Sequence, residues 1–185
     1  GSTELVLVST TGGVPEILDW VSVPWGVVSL TESERAEAET PEQLNAIYTS
    51  MRAKVMASFA EFAARLPEDG GDRRLLGTSG TVTTLASVYL KLNSYDRRAV
   101  DGLHLPTSAM RDISRELAHR NIAGRAEFPT IGQERADLVV AGCAILESIF
   151  DIWPGERLGV ADRGIREGIL RALIASDANR RNRRN

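Results

Sequence analysis

The sequence predicts an α/β fold in which a mixed sheet of about five strands carries helices on both faces. Two observations lead to this prediction. The first thirty residues contain short β-forming runs separated by turn residues. After residue 40, stretches with helical spacing of apolar residues alternate with short apolar runs, as in chains whose strands are joined by crossover helices.

A three-stranded meander is expected at the amino terminus. Residues 4–9 and 16–23 flank a glycine-rich turn at 11–13, and this pattern predicts an antiparallel hairpin. Pro24 ends the second strand, and residues 25–30 are expected to form the third.

The clearest helix follows an acidic stretch. Thr40 suits the capping position, Pro41 suits the first helical position, and Gln43 stands three residues after the cap. Apolar residues then recur at helical spacing until Pro67, where the helix is expected to end. A short buried strand is predicted at 74–77.

The alternation continues in the second half. A helix is expected over 81–92, and residues 93–131 are predicted to be an insertion with a short strand at 103–105 and a helix at 107–119. A second strong helix is predicted over 133–152, because its apolar residues lie on one face.

The last predicted elements are a strand at 157–161 and a helix that Asp162 caps and that reaches about residue 176. Residues 1–176 are therefore expected to form the domain, and 177–185 a basic, disordered tail. A meander followed by right-handed crossovers corresponds to the ribonuclease H-like plan.

Composition excludes several classes of function. A net charge of −3 gives no overall attraction to nucleic acid, and the four arginines of the tail are more typical of a solvated terminus than of a nucleic-acid site. No run approaches the length of a membrane span, and no signal peptide is recognisable. Cys143 is the only cysteine, which excludes an internal disulfide and suits a reducing, cytoplasmic location.

The turn Gly77-Thr-Ser-Gly-Thr81 is the first candidate site. Free N–H groups at a helix start, the helix dipole and hydroxyl donors suit a phosphate. A purely structural strand-to-helix turn has the same composition, so both interpretations stay open. A serine nucleophile is not favoured, because Thr81 replaces the last glycine of the nucleophile elbow and neither His104 nor His119 is suited to act as a base.

Charged residues supply the other candidates. Glu4 follows a glycine and a hydroxyl residue, and such a carboxylate can hold magnesium or orient a water against a phosphate. Arg135 and Arg166 lie in charged segments of the late helices, where arginines either grip phosphate or pair with neighbouring carboxylates.

These segments together resemble the exopolyphosphatase and guanosine pentaphosphate phosphohydrolase family, usually called Ppx/GppA. The resemblance extends from residue 1 to about 171. It rests on Gly-Ser-Thr-Glu-Leu at 1–5, Gly-Thr-Ser-Gly-Thr-Val-Thr-Thr-Leu-Ala at 77–86, Glu-Arg-Ala-Asp at 134–137 with Ala141-Gly142 downstream, and Gly-Ile-Arg-Glu-Gly-Ile-Leu at 164–170. The family belongs to the superfamily of sugar kinases, actin and the heat-shock chaperone ATPases.

The resemblance implies two ribonuclease H-like lobes with the active site in the cleft between them. The second lobe opens with Asp-x-Gly-Gly-Gly-Ser-x-Glu, so the sequence is expected to begin inside that motif. The first lobe, which provides a general-base glutamate and another phosphate loop, is expected to lie outside this sequence. An alternative is that Gly1-Ser2 remains from a removed tag, in which case only Glu4 corresponds to the motif.

The resemblance also assigns the site residues. It implies Mg²⁺ as the cofactor and Glu4 as both the catalytic carboxylate and the metal ligand. The residues that it implies for phosphate binding are Gly1, Ser2, Gly77, Thr78, Ser79, Gly80, Thr81, Arg135 and Arg166.

The expected function is release of terminal phosphate from inorganic polyphosphate or from guanosine pentaphosphate, by a chain that is inactive without the first lobe. The alternative is a non-catalytic module that binds nucleotide or polyphosphate or serves in assembly. A homodimer is an open alternative for the oligomeric state, and neither a membrane nor a nucleic acid is an expected partner.

Overall fold

A computed structural model describes residues 1–12, 15–34, 38, 40–67, 74–164, 167–171, 173–174 and 177. The strands are β1 (Thr3–Ser9), β2 (Glu16–Val23), β3 (Leu75–Gly77), β4 (His104–Pro106) and β5 (Arg157–Val160). The helices are α1 (Val27–Ser33), α2 (Pro41–Ala63), α3 (Gly80–Tyr89), α4 (Arg97–Val100), α5 (Thr107–His119), α6 (Ile122–Ala126), α7 (Gly132–Arg135) and α8 (Val139–Ile152). Residues 167–171, 173–174 and 177 are also helical.

The strands form two sheets. β1 and β2 pair antiparallel as the predicted hairpin, with a register irregularity between Leu7 and Val8. The second sheet has the order β3-β5-β4, in which β3 is parallel and β4 antiparallel to β5. The mixed α/β class is confirmed, but the five-stranded detail holds only in part, because the strands are divided between two sheets.

The predicted third strand at 25–30 is wrong, because residues 27–33 form α1 instead. Gly26 caps this helix with an extended backbone, and its N–H donates to Ser29 Oγ at 2.9 Å. Leu30 is fully buried, and α1 packs against α8. A short apolar run is compatible with a strand or a helix, and here the local cap and the burial of Leu30 favour the helix.

The capping prediction for α2 is confirmed. The Gln43 N–H donates to Thr40 Oγ1 at 3.3 Å, and the Thr40 N–H donates to Gln43 Oε1 at 3.0 Å, with Pro41 at the first helical turn. Two otherwise unpaired donors at the helix start are thereby satisfied. The helix ends at Ala63, one turn before the predicted end at Pro67.

The core is built around α8, which is buried on nearly all sides and packs against α2, α5 and α1. The predicted helix over 133–152 is interrupted, since residues 136–138 form a turn between α7 and α8. The buried Arg125 donates from Nη1 to the Ala136 carbonyl at 3.4 Å. This donor satisfies a carbonyl at the break that a continuous helix would satisfy internally.

The hairpin packs on the core through one face. Leu5 and Val21 lie against the core, and β2 contacts α2. Val6 and Trp20, which are opposite one another in register, remain 49% and 63% exposed. In the part of the chain that the structure describes, the second face of the hairpin is therefore open.

Two predictions near the carboxyl terminus have different outcomes. The strand at 157–161 is confirmed as β5. The prediction that Asp162 caps the last helix is wrong, because 162–164 are not helical and the Asp162 carboxylate accepts instead from Tyr95 and pairs with Arg97. Of the tail predicted at 177–185, residue 177 is helical, and residues 178–185 lie outside the described residues.

Candidate functional site

The carboxyl ends of the parallel strands β3 and β5 meet at one edge of the second sheet. The Ala161 N–H donates to the Gly77 carbonyl at 2.9 Å, so the segments that leave the two strands begin side by side. One segment is the predicted loop at 78–80, and the other is 161–164. Open α/β sheets take their ligands at this edge of the strands.

Ser79 organises the loop. Its side chain caps α3 by accepting from the Val82 N–H at 3.3 Å, and its carbonyl accepts from the Thr83 N–H at 3.2 Å. Gly80 and Thr81 are the first two residues of α3, where no carbonyl of the same helix can accept their N–H groups. These donors and the positive end of the helix dipole suit an anion.

The loop residues divide into two groups. Thr78, Ser79 and Gly80 are exposed, as a ligand-binding loop requires. Gly77 and Thr81 are half-buried, and the Thr81 side chain lies against Gly142 of α8. The exposed group can contact a phosphate directly, whereas Gly77 and Thr81 join the loop to the core.

Ion pairs line the second segment at this edge. Tyr95 donates to the Asp162 carboxylate at 2.5 Å, and Arg97 Nε lies 3.1 Å from the same group. Arg163 Nη2 donates to Asp101 at 2.6 Å, and Asp101 also accepts from the Asp162 N–H at 3.0 Å. The two pairs anchor residues 162–163 to the chain before β4.

These contacts change two pKa values. Desolvation, followed by the hydrogen bond to Asp162, raises the pKa of Tyr95 to about 12. The N–H of Asp162, with the Arg163 guanidinium, lowers the pKa of Asp101. Sequence reasoning missed Tyr95, Arg97 and Asp101 as neighbours of the site, since they lie some sixty residues from their partners and follow no recognisable motif.

Glu4 lies on the exposed side of β1, in the other sheet. Its Oε1 accepts hydrogen bonds from Ser2 at 2.6 Å and from Ser22 at 3.0 Å. Gly1 lies against the backbone of Gly26, in the turn before α1. The structure thus brings Gly1, Ser2 and Glu4 together at the start of the hairpin, but in a different sheet from the loop at 77–81.

Arg135 lies beside α3. Its Nη1 donates to Thr84 Oγ1 at 3.4 Å, about one turn beyond the loop. This contact favours bracing of α3 over local pairing within the charged segment. Arg166 lies outside the described residues.

The described residues hold no group of three or more histidine, cysteine, aspartate or glutamate side chains that could form a metal centre. Glu4 with the Ser2 and Ser22 hydroxyls offers one carboxylate and two further oxygens. Mg²⁺ commonly takes one or two carboxylates and completes its shell with water and substrate phosphates, so these residues fit a magnesium ion that is shared with a phosphate.

No helix in the described ranges is long and apolar enough to cross a membrane. Cys143 is buried in α8, and desolvation raises the pKa of its thiol to about 12. A thiol with such a pKa remains neutral and unreactive, so Cys143 is a core residue and not a nucleophile.

The fold is a mixed α/β fold in which a hydroxyl-rich helix start lies at the carboxyl ends of β3 and β5. Residues 1–176 match the model of the Ppx/GppA phosphatase family. The chain therefore belongs to that family.

Known proteins agree with this assignment. Exopolyphosphatase 2 of Mycobacterium tuberculosis is 28% identical over 149 residues, which cover 80% of this chain and 44% of that protein. A Ppx/GppA family member from Aquifex aeolicus has the same fold, with a TM-score of 0.74, 24% identity and coverage of 96% of this chain and 54% of that one. An exopolyphosphatase from Cytophaga hutchinsonii gives a TM-score of 0.75 at 17% identity, covering 95% and 55%. The chain spans about half the length of these relatives.

Proposed function

We propose that this chain forms the second lobe of a phosphohydrolase that releases terminal phosphate from inorganic polyphosphate. The observation that carries the proposal is the exposed loop Thr78–Gly80 at the start of α3, beside the carboxyl end of β5. The relatives that are named exopolyphosphatases support the substrate class.

In this proposal the loop binds one phosphate group of the polyanion. The N–H groups of Gly80 and Thr81 and the hydroxyls of Thr78 and Ser79 donate to its oxygens. Since Ser79 Oγ already accepts from Val82, its own O–H proton is available for the ligand. Fixed donors of this kind stabilise the negative charge that is redistributed when a phosphoanhydride bond breaks.

Magnesium is part of the proposal. Glu4, with the neighbouring Ser2 and Ser22 hydroxyls, would hold the ion together with phosphate oxygens. When bound, the ion would supply charge neutralisation at the transferred phosphoryl group. Ser2 and Ser22 both donate to the same oxygen of Glu4, Oε1.

We further propose that a first lobe completes the cleft and that the 185-residue chain alone has little or no turnover. Within the described residues, Glu4 and the loop Gly77–Thr81 lie in different sheets, and a second wall would be needed to bring a phosphate between them. The same site would also accept the 5′ phosphate of guanosine pentaphosphate. A cytoplasmic location completes the proposal, because the single, buried Cys143 suits a reducing compartment.

The experiment that tests the loop compares binding of tripolyphosphate to the wild-type chain and to Ser79→Asp. Aspartate is as good a helix cap as serine, so α3 keeps its cap while the loop gains a negative charge. We expect the dissociation constant from isothermal titration calorimetry to rise by about tenfold or more, since a tenfold change needs only ~1.4 kcal/mol of repulsion.

Thr40→Asp is the matched control, because it places the same charge on the capping residue of α2. We expect this variant to bind tripolyphosphate as the wild type does. Equal affinities of all three proteins for tripolyphosphate would overturn the loop assignment. An equal loss of affinity in both variants would also overturn it, because the added negative charge would then act regardless of its position.

Turnover is measured separately, as phosphate release from long-chain polyphosphate with magnesium by the wild-type chain and by Glu4→Ala. Binding without release agrees with an incomplete cleft and also with the alternative of a binding module. The two are distinguished by restoring a first lobe, which is expected to restore release only for the enzyme. Glu4-dependent release by the isolated chain would show that the site is self-sufficient and that the proposed requirement for a first lobe is wrong.

A further inference from the structure

Gly142 of α8 and Thr81 of α3 approach one another more closely than any larger residue at 142 would allow. Gly142 is buried, and a Cβ atom placed on it would lie 2.7 Å from Thr81 Cγ2 and 3.0 Å from Thr81 Cβ. Cβ atoms in proteins essentially never come within 3.0 Å of a heavy atom of a residue that is not a neighbour in the chain. The Thr81 side chain therefore occupies the space that a side chain at 142 would need.

The other end of the loop is packed in a similar way. A Cβ atom on Gly77 would lie 2.6 Å from Val82 Cγ2, so β3 and the first turn of α3 are in close contact at this point. Gly77 and Thr81 thus hold the two ends of a five-residue loop against Val82 and Gly142. Between them, Gly80 has open space around its Cα, with no heavy atom within 4 Å of a Cβ placed there.

α8 supports this contact with a stretch of buried residues. Residues 139–148 are buried without exception, so α8 cannot move away from an enlarged residue at 142 without disturbing the core. α3 starts at an exposed loop, and its first turn is the more easily displaced partner. A side chain at 142 is therefore expected to push Thr81, and with it the N–H groups of Gly80 and Thr81.

We propose that Gly142 is a positioning residue for the phosphate-binding loop. This inference rests on the proposed function, because it assumes that the loop binds phosphate. Gly142 touches no ligand and acts through Thr81, whose side chain it accommodates. The effect of a helix start on an anion is confined to the first turn, so a displacement of that turn moves the donors away from the ligand.

The test is a double-mutant cycle with Gly142→Ala and Thr81→Ala, in which tripolyphosphate affinity is the readout. In the presence of Thr81, Gly142→Ala is expected to weaken binding by about tenfold or more, since a tenfold change needs the loss of only ~1.4 kcal/mol of binding free energy. In the Thr81→Ala background, which removes Cγ2 and the hydroxyl, the same change is expected to cost less than about threefold, because the two closest atoms are gone and only the tight contact with Cβ at 3.0 Å remains. An equal loss in both backgrounds would overturn the proposal.

A second readout separates this proposal from the function on which it rests. Amide resonances and hydrogen exchange of residues 79–81 report the position of the loop without any ligand. We expect Gly142→Ala to shift the resonances of residues 79–81. The amide of Thr40, at the start of α2, is the control, and its resonance is expected to stay unchanged. Unchanged loop amides would overturn the positioning role even if the wild type binds tripolyphosphate.

Failure of the wild type to bind tripolyphosphate would overturn the proposed function, while shifted loop amides would still support the positioning role. Where Gly142→Ala alone does not fold, folding of the double variant would itself confirm the steric coupling. Thr81→Leu enlarges the other partner of the contact and is expected to shift the same amides. Loop amides that remain unchanged in Thr81→Leu would contradict the proposed contact.

Discussion

Tyr48 on α2 donates a 2.8 Å hydrogen bond to Glu147 on α8, and both side chains are buried. Arg52 and Arg111 lie 3.8 and 3.9 Å from the Glu147 carboxylate oxygens. Burial, with the neighbouring negative charge of Glu147, raises the pKa of Tyr48. The phenol therefore keeps its proton, and the contact between α2 and α8 depends on a carboxylate held inside the core.

Replacing Tyr48 by Phe is expected to lower the free energy of unfolding by about 1.5–3 kcal/mol, because a hydrogen bond to a buried charged group is lost. Urea denaturation monitored by circular dichroism measures the change. Tyr89→Phe is the control, since that tyrosine is 41% exposed. Equal stability of the two variants would mean that the bond to Glu147 makes no net contribution.

The α2 cap gives a second prediction. Thr40→Ala removes the acceptor for the Gln43 N–H and is expected to cost about 1 kcal/mol of stability. Thr10→Ala, in the exposed turn of the hairpin, should leave the urea midpoint almost unchanged. A midpoint for Thr40→Ala that coincides with the wild-type value would contradict a stabilising role for the capping box.

The lowered pKa of Asp101 leads to a prediction about how stability depends on pH. Its pKa is lowered in the folded chain by the Asp162 N–H and by Arg163, so the unfolded chain takes up a proton first as the pH falls. The contribution of Asp101 is therefore complete above its ordinary pKa of 3.8 and is lost as the pH falls through the lower, folded value.

Urea denaturation of wild type and Asp101→Asn at pH 7, 5 and 3 measures how the contribution of Asp101 to stability depends on pH. The wild type is expected to be the more stable protein at pH 7 and 5, and the difference is expected to shrink below pH 4. Asp112→Asn serves as the control, because the Asp112 side chain is 73% exposed. A difference between wild type and Asp101→Asn that stays constant with pH would rule out this linkage.

The burial of Cys143 leads to a prediction about the reactivity of its thiol. Its thiol is fully buried and its pKa is raised by burial to about 12, so almost no thiolate is present in the folded chain at pH 8. Reaction with Ellman's reagent is expected only as urea unfolds the chain. A Thr10→Cys variant in a Cys143→Ala background provides the rate for an exposed thiol, and equally fast labelling of the wild type would show that α8 opens locally.

Several features of the fold depend on neighbours in the sequence, and for that reason the sequence predicted them. The cap of α2 lies within the four residues Thr40 to Gln43, and the hairpin lies within about twenty residues around its turn. The turn from β3 into α3 is also local, because a helix start creates its own unpaired donors. Motif order was enough to indicate the family that the match over residues 1–176 shows.

Other features were decided by contacts between distant segments. The apolar run at 25–30 satisfies strand and helix patterns equally, and burial of Leu30 beside α8 selected the helix. The periodicity of 133–152 gives no sign of the break at 136–138, since the guanidinium that binds the Ala136 carbonyl comes from Arg125 on another helix. The sequence predicts that Asp162 caps the last helix, but its carboxylate accepts a hydrogen bond from Tyr95 and pairs with Arg97 instead.

The candidate site shows the same division. The sequence by itself indicated the loop Gly77–Thr81 and the carboxylate Glu4 as candidates and indicated the family that the match shows, because residue type and local spacing carry that information. Only the tertiary structure decided that the loop adjoins residues 161–164, that Glu4 lies in a different sheet, and that Thr81 lies against Gly142. The physical reason is that periodicity and capping are set within a few residues, whereas close packing and ion pairing depend on which distant side chains the folded core brings together.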